Sequence, residues 1–356
     1  MKSKKLCIFL TVIILTFTIV TLFTAGCKEK EPPAEEIVAE EPEQEEEDDI
    51  IDTRLLSPYT GTHVDGVFLT PICVLIENHP SARPQSGLSS ADLIYEIPVE
   101  GGYTRFLAIY DSPFEGRIGP VRSARPYFVY LVEEHEGILA HCGNSIHTEE
   151  VFRAVKSKHI DEIFNAPYFQ RDNSRKAPHN LYTDLSLLFR GAKDKGFLPS
   201  EEEIASKTIQ PYFTFQPPEE QSDEATKIEI FFSNENYVDY ILDDEGGYTR
   251  YNNGKLFIEA ETGEAITVKN IIVQFVEAQS FTSEGHLRIK QVGEGKGLFF
   301  TAGSIEEITW EKKNNTSKTV FKGENGDLIL APGQTWIHLL PLYGKIDWSS
   351  NNESVQ

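Results

Sequence analysis

The sequence predicts an α/β amino domain, with a mixed sheet flanked by helices, followed by a mainly antiparallel β carboxyl domain. Three observations predict it. Between about residues 56 and 197, short apolar runs alternate with helical patterns, which is the texture of α/β folds. Residues 198–225 are polar and include Glu201, Glu202, Glu203, Pro217 and Pro218, as an interdomain connection would. From residue 227 onward, strand-like runs are separated by turn signals.

Residues 72–76, 93–97, 106–110 and 138–141 read as strands, the first as an almost continuous apolar run suited to a sheet covered on both faces. Pro126 suits the first turn of a helix whose Tyr127, Tyr130 and Leu131 share one side and which ends before Gly137. A second helix is expected from near Thr148, burying Val151, Phe152 and Val155, and a third from Thr183 to near Gly196. In the carboxyl part, residues 228–232, 237–242, 271–275, 298–301, 319–322 and 335–339 read as strands, punctuated by turns such as Asn252-Asn253-Gly254 and Glu324-Asn325-Gly326-Asp327. The hexapeptide Glu-Gly-Gly-Tyr-Thr-Arg occurs at residues 100–105 and 245–250. Both copies read as a turn entering a strand, not as a duplicated domain.

The chain's first part has another character. A basic start, an apolar run at residues 6–23 and the ending Thr24-Ala25-Gly26-Cys27 form a bacterial lipoprotein signal with Cys27 as the lipidated residue. The run also approaches the length of a membrane span, so an uncleaved anchor helix stays open. Either way the folded part is expected on the extracytoplasmic face of the cell membrane. Residues 28–50 hold twelve acidic residues against two lysines and cannot bury enough surface to fold, so they read as a solvated tether. The expected plan is a signal peptide at 1–26, a tether at 27–50, a ligand-binding domain at 51–198, a linker at 199–226, a β domain at 227–348 and a tail at 349–356.

The 356-residue chain carries a net charge of -23, a field that repels polyphosphate, so nucleic acid is excluded as a partner. Only Cys73 and Cys142 fall in folded sequence. A disulfide between them stays open, but their apolar surroundings favour thiols. No zinc spacing, His-Glu-x-x-His, Walker loop or Gly-x-Ser-x-Gly occurs, and no cofactor or metal is expected.

Three stretches could carry chemistry. Arg117, Arg122 and Arg125 crowd ahead of a helix start, where planar guanidinium groups and free amides favour an anion. The plain alternative pairs them with neighbouring acids. His141-Cys142-Gly143-Asn144-Ser145 leaves a strand for a helix, a usual place for ligands in α/β sheets, although a hydrogen-bonded structural histidine also fits. The polar loop at residues 169–180 supplies Arg171, Asp172, His179 and Asn180. Arg83 and Arg105 are further candidates.

At residues 91–110, including Val99-Glu100-Gly101-Gly102-Tyr103-Thr104-Arg105, at 117–127 and 141–145, and at Arg171-Asp172 with Pro178-His179-Asn180, the chain resembles the YerB-like family of bacterial lipoproteins. The carboxyl part is similar through Gly295-Lys296-Gly297, Thr309-Trp310-Glu311-Lys312 and Pro332-Gly333-Gln334-Thr335-Trp336. The resemblance implies localisation and a plan of two domains of unknown function, and carries over no activity or catalytic residue.

The preferred function is binding of an anionic envelope ligand, such as a teichoic-acid-like phosphate or a peptidoglycan carboxylate. Arg83, Arg105, Arg117, Arg122, Arg125, His141, Ser145, Arg171, His179 and Asn180 would line its pocket. The alternative is an envelope hydrolase or transferase in which His141 or His179 is the base and Asp172 or Glu100 orients it. A third reading is a scaffold for envelope proteins, with Trp310 and Trp336 either as anchors or as core.

Overall fold

The structure, a computed structural model, describes residues 55–350. The signal segment, Cys27 and the acidic stretch lie outside the described residues. Among the described residues no helix is long and apolar enough to cross a membrane.

The amino part contains Ile72–Glu77 (β1), Leu93–Pro98 (β2), Thr104–Tyr110 (β3), Pro126–Glu134 (α1), Ile138–His141 (β4), Ile146–Val155 (α2), His159–Asp161 (β5) and Leu185–Asp194 (α3). β1, β2 and β3 are buried at every position, as their apolar runs require. Pro126 occupies the first turn of α1. α2 begins two residues before Thr148 because the Ser145 side chain accepts from the Thr148 N–H and caps it. α3 is capped by Asp184, which leaves Thr183 in a short strand.

The carboxyl part adds Lys227–Ser233 (β6), Asn236–Leu242 (β7), Tyr248–Asn252 (β8), Asn270–Val276 (β9), Ala278–Ser280 (β10), Leu287–Ile289 (β11), Gly293–Thr301 (β12), Ser304–Lys312 (β13), Val320–Gly323 (β14), Gly326–Asp327 (β15), Thr335–Pro341 (β16) and Lys345–Ser349 (β17). The α/β amino part and the mainly antiparallel carboxyl part are as the sequence predicts. β13 is not among the expected strands, because Glu306 and Glu307 hide the alternation of Ile308, Trp310 and Lys312, all of which are buried. Both copies of the repeated hexapeptide turn into a strand, with Gly101, Gly102 and Gly246 at positive φ.

The two parts share one eleven-stranded sheet, in the order β15-β14-β13-β12-β9-β16-β2-β3-β1-β4-β5. β16 lies parallel between β9 and β2 and is buried along its whole length. The connecting stretch is built in as well: Thr214 and Phe215 pair with Ile329 and Leu330. Trp310 and Trp336 are buried core residues, as β-sheet packing favours, and not exposed anchors for a partner. Cys73 and Cys142 are free thiols.

Two fully buried ion pairs join the parts. Glu96 of β2 accepts from Arg250 of β8 at 2.8 Å, and also from Thr104 and Asn236. The Arg250 guanidinium lies 4.4 Å from the Trp336 ring and 4.9 Å from that of Phe257. Glu134 of α1 pairs with Lys312 of β13 and accepts from the Tyr212 hydroxyl and the Thr319 N–H.

A less settled spot is Asp111, beside Asp92. Burial, and then the charge of Asp92, push the Asp111 carboxyl up to about 8. The folded state therefore keeps a proton that the unfolded chain releases near pH 4, so stability falls as pH rises from about 4 to 8. Asp111→Asn is expected to raise the melting temperature more at pH 8 than at pH 4. An equal change at both, in calorimetry, would contradict the assignment.

Candidate functional site

β1, β2, β4, β5, β9 and β16 all run in one direction, so their carboxyl ends lie on one edge of the sheet. That edge is where α/β sheets usually present ligand groups. The segment around Val121 to Ala124 wedges in where β1 and β4 diverge: Arg122 N–H donates to the Leu75 carbonyl, and Ala124 N–H to that of Gly143. The main chain thus brings Arg122, Arg125, Glu77, Glu100 and Arg105 to one region.

Acids meet most of the arginines there. Glu77 accepts from His179 Nδ1 at 2.9 Å and lies 3.0 Å from Arg122 Nε. The His179 ring stacks on His79 at 4.9 Å. Arg125 clasps Glu100 with two nitrogens, and His286 stands 3.6 Å from the same carboxylate. Burial pushes the Glu100 carboxyl upward, but the hydrogen bonds and charge of Arg125 outweigh this and hold it below the usual range. Arg117 bridges Asp172 at 2.9 Å and Glu261 at 2.5 Å. Arg171 pairs with Glu162 at 3.1 Å and reaches Asn180.

These contacts correct the expectation of one open arginine hollow. Arg117, Arg122 and Arg125 are each neutralised by a carboxylate from a distant stretch, and Arg171 by Glu162 nine residues before it, because in a chain this acidic a carboxylate is the readiest partner for a guanidinium. Arg83 is held by Asn78, Asn236 and Asn253 at the junction of the two parts. Arg105 differs. It is 6% exposed, donates to the Ser123 carbonyl, leaves Nε without a partner and has no carboxylate partner among the described residues. Burial, followed by Arg125 nearby, lowers its pKa to about 10.

The acid–base pair of the enzyme reading does not form. His141 is fully buried, its Nε2 3.0 Å from His159 Nδ1 and its Nδ1 3.0 Å from the Gly143 carbonyl, and burial lowers its pKa to about 4. Asp172 is engaged with Arg117 and Ser174, so the partner of His179 is Glu77. Ser145 is a helix cap, and Asn180 braces the carbonyls of Asp172 and Arg175.

The open space lies one step along the same edge. A cavity of about 750 Å³ begins at Pro126, directly after Arg125, and none of the expected arginines lines it. Tyr127 and Tyr130 of α1, His147 of α2, Phe281 and Tyr343 give it aromatic walls. Tyr127 also feels the charges of Glu100, Arg105 and Arg125 behind it. Gln291 lines the cavity at 4% exposure with both amide atoms unpaired, and Arg288 at its rim stacks on Phe281 without a carboxylate partner among the described residues. The volume suits a small ligand, while the Gln291 amide atoms are themselves closed off from the open space. Sequence reasoning missed this site. Its one signal was Gln291 following Leu287 and Ile289 at alternate positions, a polar group in a slot where the pattern asks for an apolar one.

Comparison with known proteins agrees with this architecture. Residues 59–198 match the model described as "Protein of unknown function (DUF3048) N-terminal domain", and residues 228–337 match its C-terminal counterpart. A Bacillus subtilis (strain 168) protein named "Putative lipoprotein YerB" is 31% identical over 295 residues, which is 81% of this chain and 87% of that protein. The crystal structure of YerB protein from Bacillus subtilis covers 83% of this chain and all of its own, with a TM-score of 0.73. With both segments matched in order and most of the length aligned, this chain belongs to the YerB-like family of DUF3048 lipoproteins.

Proposed function

We propose that this chain is lipidated at Cys27, stands on the extracytoplasmic face of the cell membrane and binds an anionic envelope component in the aromatic cavity at the sheet's carboxyl edge. The observation that carries the reading is the aromatic cavity itself, whose rim holds Arg288, a cation with no carboxylate partner among the described residues. Arg105 adds positive potential behind the Tyr127 wall. The paired arginines serve as framework, which reverses the earlier expectation for Arg122.

Full chain in detergent, titrated calorimetrically with peptidoglycan fragments and with glycerol-phosphate oligomers, is expected to bind one of the two classes. Tyr130→Ala should weaken binding about tenfold through lost stacking area, while Arg122→Ala leaves it near parental. Heat from neither class, or Tyr130→Ala binding as the parent does, would remove the proposal. Membrane attachment is checked separately by release of Cys27→Ser into the soluble fraction.

A further inference from the structure

We infer that the cavity takes an extended peptide, which adds a strand to the open edge of β11. This rests on the binding role of the same cavity and names the class of its ligand.

The β10–β11 hairpin supplies the first argument. Lys290 N–H donates to the Glu277 carbonyl and Phe281 N–H to that of His286, so the pairs 277/290 and 281/286 face inward. Antiparallel ladders alternate, and the intervening residues Leu287 and Ile289 therefore turn their N–H and C=O groups away from β10. Among the described residues β11 has no other strand beside it. The second argument is the lining. Six consecutive residues, 287–292, border the cavity. Glu277, Ala278 and Gln279 border it as well, so the cavity lies along the hairpin, β11 included.

Side-chain chemistry sets the sequence preference. Ile289 and Gln291 are buried while Arg288 and Lys290 are exposed, so the two faces of this edge differ in polarity and charge. A strand laid along it meets apolar and amide groups on one face and two cations on the other, of which Lys290 is already paired with Glu277. The fitting ligand alternates apolar and acidic residues, with its main chain supplying the hydrogen bonds, as in strand-addition recognition. Its carboxylates meet Arg288.

The test uses the full chain and a fluorescent peptide alternating leucine and glutamate. Two further versions carry N-methyl groups on all leucine amides or on all glutamate amides. Fluorescence anisotropy is expected to show saturable binding of the parent peptide, competed by the envelope fragment that binds the cavity. One methylated phase should lose about tenfold or more in affinity, for two or so hydrogen bonds of ordinary net worth, and the other should keep it. Equal binding by both phases overturns strand addition. Absence of peptide binding, with envelope fragments still bound in a Tyr130-dependent way, overturns the peptide class and leaves the binding role standing. Failure of both probes removes the two together.

Discussion

Arg250→Met is expected to lower the unfolding free energy by about 3–5 kcal/mol, because it leaves the Glu96 carboxylate buried without its counter-charge. Both side chains are fully buried. Burial pushes the Glu96 carboxyl upward, but Arg250 and His338 outweigh this and hold it well below the usual carboxylate range. A group depressed in this way contributes stability above its unfolded value and loses it as pH falls through the folded one. The variant should therefore lose the most above about pH 5, where the parent carboxylate is charged in both states. Pairing it with Glu96→Gln removes the charge while keeping an acceptor for Thr104, and should restore part of the loss. Denaturant unfolding measures both chains. A cost below about 1 kcal/mol for Arg250→Met would show that water reaches Glu96 and that the pair is not the tie described here.

The second large effect concerns the join itself. A chain ending at Leu198 is expected to lack fixed tertiary structure. Truncation there removes β16 and strips β2 of its parallel partner. It also takes away Trp336, which packs on Phe106 at 5.3 Å, and deprives both Glu96 and Glu134 of their buried cations. The main loss is apolar: β2, buried at every position, is bared to water at about 25 cal/mol per Å², against a whole stability of about 5–15 kcal/mol for an ordinary domain. Near-ultraviolet circular dichroism should show no aromatic signal, and sedimentation should show association through the bared edge of β2. A sharp, cooperative melt of the truncated chain would overturn this.

Both expectations arise where the sequence was silent. Strand identities along β1, β2, β4, β9 and β16 were legible because a sheet covered on both faces demands unbroken apolar runs. The α1 start was legible because Pro126 suits a first helical turn. The turns around Gly101 and Gly246 were legible because glycine supplies the positive φ they need. Arg105 and Arg250 close the two copies of one hexapeptide and both are buried, yet nothing local shows that the first has no carboxylate partner among the described residues and the second has Glu96.

By itself, the sequence determined the family, the α/β then β order of elements, most of the core strands and a net charge that argues against nucleic acid as a partner. These depend on periodicity, capping and composition, which act over a few residues at a time. Tertiary structure alone decided that the two parts share one sheet, that Arg117, Arg122, Arg125 and Arg171 are spoken for, and that the open cavity belongs to Tyr127, Tyr130 and Gln291. The physical reason is range. A guanidinium takes whichever carboxylate the fold brings within about 3 Å, and Glu261 lies 144 residues from Arg117.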